Sequence, residues 1–135
     1  MGAWGCESCS NDSCWDHLDG EDIHKMTQKE GTSSVTKVFQ KLNGRSAKDK
    51  ETKLGVVIWI LRQGLQVEKE YLIKARKFAE DLIKDKGYLE CWDNDRKPQL
   101  DKEIKEIDAV LKNDGVGTKQ HIPGLFEKMA KDMLE

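Results

Sequence analysis

Three thiols and an imidazole crowd the start of the chain in the order Cys6-x2-Cys9-x4-Cys14-x2-His17. Zinc takes four thiolate or imidazole ligands in a tetrahedron, and a C-x2-C turn presents two sulfurs together. Cys14 and His17, three residues apart, share one face of a helix. A Cys3His zinc site on Cys6, Cys9, Cys14 and His17 is the strongest chemical signal in the sequence. It has only one C-x2-C knuckle, however, and the competing reading is buried reduced thiols beside a surface histidine. A nucleophilic Cys14–His17–Asp16 set is weaker. Asp16 and His17 are neighbours that point in different helical directions, and no motif announces an oxyanion site.

The remaining chemistry-bearing residues are isolated. His24 lies in a polar stretch, and His121 stands two residues before Pro123. Gly115-Val116-Gly117-Thr118-Lys119 is too short for a phosphate loop and follows no strand, so a plain helix-to-helix loop is expected. Lys48-Asp49-Lys50 and Lys84-Asp85-Lys86 interleave both charge signs, as a solvated helix face does. Carboxylates are scattered along the polar faces, and no pair stands out for acid–base work.

The elements that must position these residues read as helices. Ser10-Asn11-Asp12-Ser13 offers caps for a short helix through Cys14, Trp15 and Leu18 that stops near Gly20. Val35, Val38, Phe39 and Leu42 follow the i, i+3, i+4, i+7 rule and predict a helix from Ser33 to Leu42, ended by Asn43-Gly44. Arg45 to Lys53 is polar and expected to be a connection. Leu54 to Val67 contains the β-branched run Val56-Val57-Ile58-Trp59-Ile60-Leu61, which alone would suit a buried strand. No other segment offers a strand partner, so it is read as the central, all-round-apolar helix of a bundle. Glu68 to Lys86 carries the stripe Leu72, Ala75, Phe78, Ala79, Leu82 and Ile83, with Glu70–Lys74 and Glu80–Lys84 as acid-before-base pairs. Gly87 should stop it, leaving Tyr88, Leu89 and Trp92 in a short connector. Pro98 suits the first turn of the next helix, with Leu100, Ile104, Ile107, Val110 and Leu111 inward and Gly115 at its end. Pro123 opens a last helix with Leu125, Phe126, Met129 and Met133 inward. The sum is an all-α fold: a compact single-domain bundle of five or six helices over residues 1–135, with a Cys/Trp/His-containing segment at 1–31 and a helical core at 32–135.

Composition agrees. The chain has 135 residues and a net charge of −2, so nothing in its balance recommends nucleic acid or an anionic membrane as partner. The apolar run at 56–61 falls well short of the ~18 residues a membrane helix needs. The opening residues lack the basic and apolar regions of a secretory signal, so a soluble, cytoplasmic protein with reduced thiols is expected.

Met1-Gly2-Ala3-Trp4-Gly5, then Asn11-Asp12, then Trp15 and Leu18, resembles the opening of the small bacterial family catalogued as domain of unknown function 4259. Its members open Met-Gly-Ala/Thr-Trp-Gly, followed by an Asn-Asp or Ser-Asp loop and a short amphipathic helix. The resemblance implies an α-helical fold and a bacterial or phage origin, and brings no catalytic residue. Typical family members carry a small or apolar residue and no cysteine at positions 6, 9 and 14, so the resemblance implies that two of these positions face the core and that a metal site would belong to this branch alone. Trp4 between Gly2 and Gly5 is expected to dock the N-terminal segment onto the fold, since burying such an aromatic is worth ~1.5–3 kcal/mol.

With no catalytic set in view, the sequence points to a non-enzymatic protein-interaction module. A defence-related, immunity-type or host-takeover role is consistent with it. Trp15, Tyr88 and Trp92, aromatics in short connectors, are the candidate partner-binding residues. The alternative is a structural or regulatory zinc module on the N-terminal cysteines.

Overall fold

The computed structural model describes residues 16–18, 26–90 and 96–118. Five helices occupy them: α1 (Gln28–Lys41), α2 (Ala47–Arg62), α3 (Lys69–Lys84), α4 (Lys86–Glu90) and α5 (Arg96–Leu111). The all-α expectation holds. The docked opening with Trp4, the three N-terminal cysteines, Trp15, Trp92 and the helix after Pro123 lie outside the described residues. Over residues 16 and 17 the chain makes a turn where a short helix had been expected.

The four long helices, α1, α2, α3 and α5, alternate in direction, as side-chain pairings along them reveal. Phe39 meets Lys53 near one end of α1 and α2, and Gly31 approaches Ile60 near the other, so these two are antiparallel. Lys50 near the start of α2 pairs with Asp81 near the end of α3, so these two are antiparallel, and Arg76 joins α3 to α5 through Asp108. Glu51–Arg96 and Arg62–Glu106 then make α2 and α5 parallel.

At the centre is α2. Every residue from Thr52 to Arg62 is buried, so the β-branched run sits inside a helix and not a sheet. A helix apolar on all sides is stable only when neighbours cover it all round. Val35 and Val38 from α1, Leu72, Ala75, Ala79 and Leu82 from α3, and Leu100, Ile107 and Val110 from α5 join it in one core.

Several boundaries differ from the sequence expectation. The first described helix starts at Gln28, five residues early, because Thr27 and Glu30 form a reciprocal capping box. The Thr27 hydroxyl accepts from Glu30 N at 3.2 Å, and the Glu30 carboxylate accepts from Thr27 N at 2.9 Å. The polar stretch 45–53 is a loop only to Ser46, whose hydroxyl caps α2 by accepting from Asp49 N. Gly87 does not stop α3. That helix ends at Lys84 with Asp85 as its cap, and Gly87 lies inside α4. The expected pairs on α3 are shifted too: Glu80 turns back to Arg76 at 2.6 Å, and Asp81 to Lys77 at 3.0 Å.

The stretch after α5 is more than a connecting loop. Val116 forms an antiparallel bridge with Gln66. Val67 N donates to Gly115 O and Gly117 N donates to Leu65 O, both at 2.9 Å. On its other side Gln66 is held by the Gln28 side chain, whose amide accepts from Gln66 N and donates to Gln66 O at 2.8 Å each. Gln28 thus imitates a neighbouring strand, and a single residue, Gln66, ties together the start of α1, the α2–α3 loop and the end of α5.

Candidate functional site

Three groupings of polar side chains are candidates. The first is a charged cluster inside the bundle. Arg96, Gln99 and Glu103 occupy the same α5 face as Leu100, Ile107 and Val110, and all three are buried. Arg96 Nε donates to the Tyr88 hydroxyl at 2.7 Å, and Tyr88 in turn donates to Glu51. The guanidinium lies 3.8 Å from both the Glu51 and Glu103 carboxylates, and Gln99 donates to Glu103 at 3.3 Å. Burial pushes the Tyr88 phenol far above its usual range, with Arg96 pulling the other way and Glu51 reinforcing the rise. Tyr88 therefore stays protonated and works as a donor. Its hydroxyl is committed to the interior, where it fastens α4 to α2 and α5. The second link between α2 and α5 is a two-point fork: Arg62 donates to both Glu106 oxygens at 3.1 Å.

The second grouping is an aromatic box around Lys53. This residue is only 5% exposed. Its ammonium lies 5.0 Å from the Phe39 ring centroid and 5.7 Å from that of Phe78, and donates to Phe39 O at 3.3 Å. Tyr71 packs on Phe39 at 4.8 Å. Burial lowers the Lys53 pKa; Asp49 opposes this and Lys74 adds to it. Because the folded value lies below the unfolded one, the folded state disfavours the ammonium. The corresponding stability is complete above the ordinary lysine pKa of 10.5 and is lost as pH falls through the folded value. Lys53→Met, which fills similar space without charge, is therefore expected to raise the melting temperature at pH 7. The advantage should shrink as pH approaches 10.5; thermal melts across that range test the sign.

The third grouping runs along the outward face of α1. A cavity of about 320 Å³ is lined by Asp16, His17, Lys37, Gln40 and Lys41. A broader, open concavity of about 660 Å³ shares Lys37 and Gln40 with it and continues along Lys29, Thr32 and Thr36. His17 is half-buried here, and its pKa is lowered, first by burial and then by Lys41, with Asp16 and Asp49 opposing. The imidazole is thus neutral at pH 7 in a mainly basic setting.

Of the sequence-derived site residues, Asp16, His17 and Tyr88 are described; Asp16 and His17 line one cavity, and Tyr88 lies in a different grouping. Cys6, Cys9, Cys14, Trp15 and Trp92 lie outside the described residues, so the zinc set is not assembled or dispersed by what is seen. Among the described residues no group of three or more His, Cys, Asp or Glu side chains is placed to hold a metal ion. None of the helices described is long and apolar enough to cross a membrane. The basic face had a sequence signal, since Lys29, Lys37 and Lys41 recur at helical spacing. The charged cluster had one too, because Arg96 and Glu103 fall in register with the apolar stripe of α5. Comparison with protein-family models, curated proteins and solved structures finds no match to the chain.

Proposed function

We propose that the chain is a non-enzymatic protein-interaction module whose outward α1 face receives an acidic segment of a partner protein. The observation that carries this reading is the pair of adjoining concavities on that face, lined by three lysines (Lys29, Lys37, Lys41) against one aspartate (Asp16). Opposite charge across such a face guides encounter and rejects like-charged partners. The other two groupings support the division of labour: the interior cluster fastens α2, α4 and α5 to one another, and the Lys53 box joins α1, α2 and α3. The bacterial or phage setting implied by the opening residues suits a small binding domain of this kind.

The test is fluorescence anisotropy with Glu/Asp-rich twelve-residue peptides and Lys-rich peptides of equal length. Acidic peptides should bind, more weakly as salt rises, and Lys37→Glu with Lys41→Glu should weaken them at least ~10-fold, about 1.4 kcal/mol. Equal binding of both peptide classes, or indifference to the charge reversal, overturns the reading. In the same preparation zinc is expected to be well below one atom per chain by elemental analysis; stoichiometric zinc would favour the Cys6, Cys9, Cys14 and His17 module instead.

A further inference from the structure

We propose that the cavity between the turn at residues 16–17 and α1 is a phosphate-monoester subsite, which takes a phosphorylated serine or threonine of the partner's acidic segment. The inference rests on the reading of the α1 face as a receiver of acidic peptide, and it names the group that anchors that peptide.

The lining is built almost wholly of donors. Lys37 and Lys41 stand one turn apart and share a face of α1, with Gln40 beside them. The turn at residues 16–17 brings His17 to the same cavity. Each ammonium offers three N–H donors, the glutamine amide two, and a neutral imidazole one. Asp16 is the one acid among the described lining residues, so two lysines leave the lining net positive while His17 is neutral.

That arrangement suits a phosphate better than a carboxylate. A carboxylate presents two oxygens in one plane, whereas a phosphate monoester carries close to two negative charges and three terminal oxygens. Only the latter can accept from α1 and from His17 at once with oxygens to spare. The cavity, about 320 Å³, has room for such a group together with the side chain that bears it.

The surroundings favour a peptide as its carrier. The broader concavity shares Lys37 and Gln40 with the cavity and continues past Thr36 and Thr32 to Lys29. Lys29 and Lys41 are twelve residues apart, which is about 18 Å along a helix. An extended peptide covers that distance in about five or six residues. A phosphorylated residue seated beside His17 thus leaves its acidic neighbours to run along α1 toward Lys29. A nucleic-acid strand would call for rings on which bases stack, and the described lining of neither concavity includes an aromatic side chain.

The test uses the full-length chain and fluorescence anisotropy with one acidic twelve-residue peptide in three forms, carrying serine, glutamate or phosphoserine at the same position. The phosphoserine form should bind at least ~10-fold more tightly than the serine form and several-fold more tightly than the glutamate form. His17→Ala and Gln40→Ala, each checked by thermal melt to be folded, should shrink the preference for phosphoserine over glutamate and leave the serine form within about two-fold. Lys29→Glu, which lies outside the cavity, should weaken all three forms alike. Equal affinity for the phosphoserine and glutamate forms overturns the subsite, and binding of the serine form would then leave the acidic-segment reading standing. Binding of the phosphoserine form alone would sink that wider reading and keep the subsite. A 5′-phosphorylated twelve-nucleotide strand that binds as tightly as the phosphoserine peptide also overturns the proposal, as does a full phosphoserine preference in folded His17→Ala and Gln40→Ala chains.

Discussion

Replacing Arg96 by alanine should destabilise the fold by about 3–5 kcal/mol, a large share of the 5–15 kcal/mol that holds a typical domain together. The reason lies in what the guanidinium leaves behind. Its side chain is fully buried, as is that of Glu103, and it stands between two carboxylates and the Tyr88 hydroxyl. Without it, Glu103 remains as a buried anion deprived of its cation, and Tyr88 loses the donor that fixed its orientation. Glu51 is partly exposed and can recover some hydration, so the penalty falls mainly on Glu103. Converting both Arg96 and Glu103 to methionine removes both charges together and keeps the space filled. Buried ion pairs often cost as much to desolvate as they return, so the double variant should lose markedly less than Arg96→Ala alone. Urea melts of both variants decide this. A double variant as unstable as the single one would mean that the cluster contributes net stability beyond neutralising itself.

That cluster also marks the limit of what periodicity can reveal. Arg96, Gln99 and Glu103 share the register of Leu100, Ile107 and Val110, so the sequence places them on the inward face of α5. Reading only the apolar members of the stripe hides them. Their partners are harder to find, because Glu51 and Tyr88 belong to other helices and no local pattern pairs them with α5. The choice of helix for 56–61 was legible from the lack of any strand partner, and the structure supplies the covering helices that choice requires. The early start of α1 was legible as well, in Thr27-x-x-Glu30, but apolar periodicity begins later and pointed to Ser33. What no local reading supplies is the closure around Gln66. It joins residues 28, 66 and 116, and the Gln28 contribution is a side chain acting as a peptide group. The basic face has a plain signal in lysine spacing. Its concavity depends on where His17 and Asp16 come to rest, which the sequence of α1 does not encode.

The closure around Gln66 gives the second large effect, at a position whose sequence looks like an ordinary loop. A Cβ added at Gly117 would collide with the main chain of Leu61, meeting its carbonyl oxygen and lying 2.6 Å from its Cα. A flexible side chain could swing away, but this obstacle is backbone in the last turn of the central helix, and moving it disturbs the core. The alternative is for residue 117 to withdraw, which breaks the Gly117 N to Leu65 O bond and strains the Val67 N to Gly115 O bond beside it. Overpacking of this kind costs ~1–3 kcal/mol, and each lost hydrogen bond adds roughly 1 kcal/mol, so Gly117→Ala should cost about 3 kcal/mol. The neighbouring Thr118 is exposed, and Thr118→Ala should stay within about 0.5 kcal/mol of the parent chain. The two substitutions are adjacent, yet only one meets backbone, so the contrast separates crowding from any general sensitivity of the segment. Denaturant melts measure the cost, and amide exchange at Val67 reports whether the bridge has opened. Loss of stability with Val67 still protected would locate the damage in α2 and not in the bridge. A Gly117→Ala chain as stable as the Thr118→Ala control would show that the end of α5 is not held against Leu61 at all.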